Sequence, residues 1–202
     1  MNRERLTKIL ELVRTKELSV DKAAVLFQEL QIEDIGFASI DHHRGIRLGY
    51  PEVIYGEGKT PEQILEIFQK LAARNNTVLI TRVDSSKAEY LMERAQCVLD
   101  YNSLGRTLVY SPKASKDAGQ GLVLIIAAGT SDLPVAEEAK VTAMALGNQV
   151  KTLYDVGIAG IHRILSHIDL INSASVIIVV AGMEGALPSV VGGLTDRPVI
   201  AV

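Results

Sequence analysis

Two continuous apolar runs constrain this chain more than any other feature: "LVLIIAAG", beginning at Leu122, and "SVIIVVAG", beginning at Ser175. A strand with one solvated face alternates apolar and polar residues, whereas one that is apolar at every position is buried on both faces. Around these runs stand "SDLPVAEEAKVTAMALG", a capped helix, "VKTLYDVG", a strand, "IHRILSHIDLIN", a helix, "ALPSVVGGL", a short helix, and "RPVIAV", a strand. Apolar strands alternating with helices predict a doubly wound parallel sheet in a three-layer α/β fold, flavodoxin- or Rossmann-like, over residues 121–202. Ligands of such sheets bind beyond the carboxyl ends of the strands. "GTSD", "DVGIAGIHR" and "AGMEGALP" fall there, so the three loops are expected to share one edge.

Residues 1–115 read as a smaller N-terminal α/β domain. Residues 3 to 30 predict two short helices, the second opened by Ser19 and Asp21 as capping candidates. "TPEQILEIFQKLAAR" predicts a helix with Thr60 as cap and Pro61 in its first turn, "TVLIT" a strand, "SSKAEYLMERA" a helix and "TLVYS" a strand. Between the opening helices and "EVIYG", a further expected strand, lies a polar glycine-rich stretch with no clean period, the kind of loop on which function sits. "SPKASKDAGQG" mixes Pro, Gly and short polar residues and places the domain boundary near Lys113 to Gly121.

Composition removes several classes of function. Aromatic residues make up 4% of the 202 residues and the net charge is −3 without a dense basic block, which argues against a nucleic-acid partner. No apolar run approaches the roughly 20 residues of a membrane span, and the charged start lacks a secretory core, so the expected location is cytoplasmic. Cys97 is the one cysteine. It excludes an internal disulfide and a multi-cysteine zinc site, and its helix-to-strand context suits a buried apolar side chain better than a nucleophile.

Candidate chemistry gathers on the shared loops. Ser131 or Asp132 would cap the helix after Gly129, leaving backbone N–H groups and a positive dipole end toward a phosphate or carboxylate; a plain cap is the alternative. His162 can exchange protons and Arg163 can clamp an anion at two points, although capping or packing would also account for the histidine. His167 lies five residues further on, too far around one helix to share a metal with it. Glu184 stands among Gly182 and Gly185, which let a ligand approach the backbone; it could accept from a ribose, hold a cation, move a proton, or simply be solvated. In "DHHRGIRLGYPE", Asp41, Arg44 and Arg47 recur at three-residue spacing, and two arginines so close suit a dinucleotide or carboxylated ligand. The adjacent histidines there do not make a metal site, since neighbouring residues rarely ligate one ion. No P-loop lysine motif, GxGxxG or nucleophile elbow is present.

"GTSDLPVAEEA", "GIHR" and "AGMEGALPSVVGGLTDRPVIAV", in that order, resemble the catalytic domain of the carboxyaminoimidazole ribonucleotide mutases, so the C-terminal fold is expected to be PurE-like. With "DHHRGIRLGYPEVIYG" upstream, the whole chain is similar to the pyridinium-3,5-biscarboxylic acid mononucleotide synthases (LarB), which begin synthesis of the nickel-pincer cofactor of lactate racemase. Where the mutases read "AGGAAHLPG" this chain has Ala186 in "AGMEGALPS", and "AGIHR" replaces "SAHR". Those departures make the mutase the second reading and a non-catalytic nucleotide-binding module the third.

The resemblance implies a reaction on nicotinic acid adenine dinucleotide. CO2 or bicarbonate carboxylates the pyridinium ring at C5 and the phosphoanhydride is hydrolysed to release AMP, with Mg2+ assisting and no organic cofactor. It implies catalytic roles for Asp132, His162 and Glu184. It further implies substrate contacts from Asp41, Arg44, Arg47, Gly129, Ser131, Arg163, Gly182 and Gly185, a homo-oligomer that in the mutases is commonly an octamer, and no resident metal ligands. A pyridinium will not attack CO2 until a nucleophile adds to it, and in this family that nucleophile is a cysteine thiolate C-terminal to the strand resembling "RPVIAV". No such residue stands in the sequence, and a parallel strand without its following helix leaves a sheet face uncovered, so the chain is expected to be incomplete at its C-terminus.

Overall fold

The computed structural model describes residues 3–28, 33–42, 44, 48–74, 77–112, 119 and 121–202. Most of the expected boundary segment, including Lys113, lies outside them. The chain opens with α1 (Arg3–Arg14) and α2 (Val20–Gln28), which pack on each other, and Ser19 Oγ caps α2 by accepting from the Lys22 N–H at 3.3 Å. Among the described residues no helix is long and apolar enough to cross a membrane.

A two-stranded hairpin, β1 (Glu33–Asp34) and β2 (Ser39–Ile40), precedes β3 (Val53–Tyr55), α3 (Pro61–Ala72), β4 (Val78–Thr81), α4 (Ser85–Arg94), β5 (Asp100–Asn102) and β6 (Thr107–Tyr110). These four later strands form a mixed sheet in the order β3-β4-β6-β5, in which β3 and β4 are parallel and the other two pairings antiparallel. α3 begins where the sequence places it. Thr60 and Gln63 form a reciprocal capping box and Pro61 enters the first turn, satisfying helix donors that would otherwise be orphaned. Its apolar stripe, Ile64, Phe68 and Leu71, meets Val78 and Ile80 of β4, Leu91 of α4 and Leu108 of β6 in one core. Cys97 packs against this core, and burial pushes its thiol up from the ordinary range.

The second sheet is wholly parallel, in the order β10-β9-β7-β8, built from β7 (Leu122–Ala127), β8 (Gln149–Leu153), β9 (Val176–Val180) and β10 (Val199–Ala201). Side chains of β7 alternate between two cores, as they must in a strand covered on both faces. Leu124 and Ile126 join Ile164, Ile171, Leu187 and Val191 from α6 (Ile161–Leu165), α7 (Ile168–Ser173) and α8 (Leu187–Leu194) on one face. Val123, Ile125 and Ala127 join Ala136 and Ala143 of α5 (Leu133–Ala145) on the other.

The single helix expected over "IHRILSHIDLIN" is two. The Ser166 hydroxyl donates to the Arg163 carbonyl at 2.8 Å, and at His167 the backbone (φ −114°, ψ 21°) leaves the helical region before α7 begins.

α5 also touches β4 and β6 of the first sheet, so it lies between the two sheets. That position explains its sequence, in which small alanines and no single apolar stripe serve a helix covered on two sides. Gly105 makes the fit possible. A Cβ there would lie 2.8 Å from the Glu138 nitrogen and 2.9 Å from the Glu137 carbonyl carbon. Polar contacts lock the contact on both flanks. Arg82 Nε meets both Glu138 oxygens at 3.0 and 2.9 Å, and Asn102 Nδ2 donates to Glu137 Oε2 at 2.8 Å.

Candidate active site

β7 lies between β8 and β9, so the connection from β7 goes one way across the sheet and the later strands lie on its other side. Beyond the carboxyl ends of the strands at this switch point the loops diverge and leave a crevice. A cleft of about 540 Å³ occupies it, lined by the loop after β7 (Gly129, Ser131, Asp132), the loop after β8 (Asp155, Gly157) and the loop after β9 (Gly182, Met183, Glu184), with Arg163 of α6. The three loops share one edge, as their sequence positions require.

Asp132 ties two of them together. Its Oδ2 accepts from the Gly129 N–H at 2.8 Å and its Oδ1 from the Gly182 N–H, fifty residues away in sequence, at 2.9 Å. The expected helix cap is therefore not formed by Asp132. The chain enters α5 through a turn of 3-10 helix at Thr130–Asp132, with Asp132 itself in the right-handed region, and no side chain caps α5. Ser131 lines the cleft without serving as that cap.

Arg163 is held from two sides. Nη1 pairs with Asp155 Oδ2 at 3.0 Å, Nη2 reaches toward the Gly157 carbonyl at 3.5 Å, and a Cβ on Gly160 would sit 2.7 Å from Nε. A guanidinium fixed along one edge leaves other N–H groups of its fork for an anion. Asp155 was not among the sequence candidates; its place directly after a strand, on the ligand edge, was the available signal. Its φ of +59° is one that aspartate tolerates better than most residues.

Glu184 stands on the turn closed by the Gly185 N–H to the Gly182 carbonyl at 2.9 Å, and is exposed. Among the described residues it has no hydrogen-bonding or ionic partner, which leaves its carboxylate the least committed at the cleft. Met183 beside it has φ +43° and a fully exposed side chain. Gly185, at φ +61°, belongs to the turn and does not line the cleft.

His162 is exposed on α6 and does not line the cleft. Asp41 and Arg44 belong to the N-terminal unit and do not line it either, and Arg47 lies outside the described residues. The Arg44 guanidinium lies 5.3 Å from the Tyr50 ring centre, with Nε buried and unpartnered among the described residues, while the Asp41 N–H donates to Glu52 at 2.9 Å. Of the adjacent histidines, His43 lies outside the described residues. His42 is buried and Nε2 lies 3.0 Å from Glu33, whose carboxyl is held below its usual range by hydrogen bonds first from Lys70 and then from His42.

The described residues do not fit a protein-built Mg2+ cage. None of their His, Cys, Asp and Glu side chains gather in threes, Asp132 is occupied by backbone N–H groups and Asp155 by Arg163.

A parallel α/β domain with a three-loop cleft at its switch point, carrying a fixed arginine and three carboxylates of which Asp132 and Asp155 are committed and Glu184 is not, is laid out to take a small charged ligand. Residues 122–202 match the AIR carboxylase family and residues 32–113 the LarB/PurE-like N-terminal domain. The chain thus joins a LarB/PurE-like N-terminal domain to an AIR carboxylase domain, which places it among LarB-like proteins. It is 42% identical over 169 residues to the uncharacterized protein MJ0165 of Methanocaldococcus jannaschii, a match spanning 81% of this chain and 66% of that protein. It is 36% identical over 84 residues to an N5-carboxyaminoimidazole ribonucleotide mutase of the same organism, a match covering 40% of this chain and 51% of the mutase.

Proposed function

We propose that the protein carboxylates the pyridinium ring of nicotinic acid adenine dinucleotide at C5, using CO2 or bicarbonate, and hydrolyses the phosphoanhydride to give pyridinium-3,5-biscarboxylic acid mononucleotide and AMP. The observation that carries this reading is the LarB-like N-terminal domain docked on α5 of an AIR carboxylase domain, the helix whose N-terminus borders the cleft.

The reaction is redox-neutral. A thiolate adds to the ring, C5 of the resulting dihydropyridine attacks CO2, the C5 hydrogen leaves as a proton and the thiolate is expelled, while one water divides the anhydride. Arg163, with Asp155 behind it, suits a phosphate or carboxylate of the substrate. Asp132 holds the loops after β7 and β9 at a fixed separation, so that Gly129, Ser131 and Gly182 face one ligand. Glu184, uncommitted and at the rim, is the group to accept the C5 proton or orient water. No step is assigned to His162, which lies outside the cleft lining, nor to Cys97, which packs in the other unit. Asp41, Arg44 and Arg47 are proposed to reach the distal part of the dinucleotide in a cytoplasmic homo-oligomer.

The second reading, a mutase acting on carboxyaminoimidazole ribonucleotide, is favoured by the 36% identity to such an enzyme and opposed by Ala186. Calorimetric titration with nicotinic acid adenine dinucleotide, NAD and aminoimidazole ribonucleotides separates them. Binding of the first is expected; binding of the purine intermediate alone would transfer the assignment to the mutase.

A further inference from the structure

We infer that Asn102, Glu137 and Tyr154 form a positioning chain by which the N-terminal unit sets Arg163 in the cleft, and that the arginine edge so presented takes a pyrophosphate-class anion. This rests on the reading of the cleft as the substrate site.

The chain starts in the first sheet. The Gly105 N–H donates to Asn102 Oδ1 at 2.7 Å, which fixes the amide so that Nδ2 faces Glu137 Oε2 at 2.8 Å. The other oxygen of Glu137 accepts from the Tyr154 hydroxyl at 2.9 Å. Tyr154 follows the end of β8 and packs in the α5 core, and the next residue is Asp155. At φ +59° the backbone turns sharply at Asp155, whose Oδ2 meets Arg163 Nη1 at 3.0 Å. Downstream, the Gly157 N–H to Ala128 carbonyl bond of 2.9 Å pins the loop to the strand beside it. Among the described residues the Tyr154 hydroxyl tethers the upstream half to Glu137, an acceptor oriented by the other unit.

A network that merely glued the two units together would need no extension to Tyr154. Arg82 and Glu138 already join the units on α5 without touching the β8 loop, which makes Arg82 an internal control. A guanidinium anchored at one edge by Asp155 and backed by Gly160 offers its remaining N–H groups to a multiply charged, multi-oxygen ligand, for which two-point recognition is geometrically matched.

The test is titration calorimetry of the whole chain with inorganic pyrophosphate, for wild type, Tyr154→Phe, Arg163→Ala, the double variant and Arg82→Ala, with thermal stability recorded for each. Tyr154→Phe is expected to weaken binding about 3- to 10-fold, Arg163→Ala by at least as much, and the double variant no further than Arg163→Ala alone. Arg82→Ala should leave affinity unchanged. Additive losses, equal losses from Tyr154→Phe and Arg82→Ala, unaltered affinity in Tyr154→Phe, or no binding by wild type would each overturn the inference. The predicted coupling in a protein that does not bind nicotinic acid adenine dinucleotide would uphold the inference and remove only that substrate.

Discussion

Glu137→Gln tests the packing of the two units on α5, because the substitution keeps the shape and removes the charge. The carboxylate is buried and accepts from Asn102 Nδ2 at 2.8 Å, Tyr154 OH at 2.9 Å and Lys140 Nζ at 3.1 Å. Burial alone would raise its pKa, and the three donors outweigh burial, so the group lies below its ordinary value of 4.5. Glutamine has one acceptor oxygen. Asn102 cannot flip to adapt, because its Oδ1 is bonded to the Gly105 N–H, so the new oxygen must face Asn102 and the new NH2 must face Tyr154, whose hydroxyl can turn and accept. Lys140, about a third exposed, can swing into water. Two charge-assisted hydrogen bonds thus become neutral ones and a third is lost, a cost of about 2 kcal/mol. In a chain of this size that corresponds to a fall in Tm of roughly 4–8 °C. The pH dependence has a definite sign. A depressed carboxyl contributes stability that is present above pH 4.5 and lost as pH falls through the folded-state value, so the gap between wild type and variant should be full at pH 7 and close in acid. Thermal unfolding followed by circular dichroism across that range measures both. A Tm within a degree of wild type at neutral pH, or a gap that does not change with pH, would show that the Glu137 charge does not hold the two units together on α5.

Gly105→Ala should cost about 1–3 kcal/mol in chemical denaturation, since the added methyl meets α5 backbone at 2.8 Å and a backbone cannot rotate away. Asp132→Asn should weaken ligand binding in calorimetry about tenfold with a smaller loss of stability, because an NH2 would confront either the Gly129 or the Gly182 N–H and release one loop. Glu184→Gln should leave Tm unchanged, the residue being exposed and unpaired among the described residues, and lower kcat at least tenfold in a product assay; unaltered turnover would reduce it to a solvated loop residue.

What could be read from the sequence was set by local physics. Continuous apolar runs announced β7 and β9, and Thr60, Pro61 and Gln63 announced α3, because each signal is complete within a few residues. The shared ligand edge followed from strand direction alone. The hairpin β1–β2 and strand β5 are two or three residues long, too short for any period to show. The break at His167 sits inside an apolar pattern that looks unbroken, since a serine hydroxyl bonding back to a carbonyl leaves no mark on hydrophobic spacing. Side-chain destinations were hidden for a different reason. Asp132 bonds to Gly182 and Glu137 to Asn102 and Tyr154, pairings that exist only once three loops and two sheets have met around α5.

Incubation of the protein with nicotinic acid adenine dinucleotide and isotopically labelled bicarbonate, followed by mass spectrometry of the products, tests the proposed reaction most directly. AMP without label and a mononucleotide that carries one labelled carboxylate on its pyridinium ring are expected. Unlabelled products, or label appearing only when an aminoimidazole ribonucleotide replaces the dinucleotide, would contradict it.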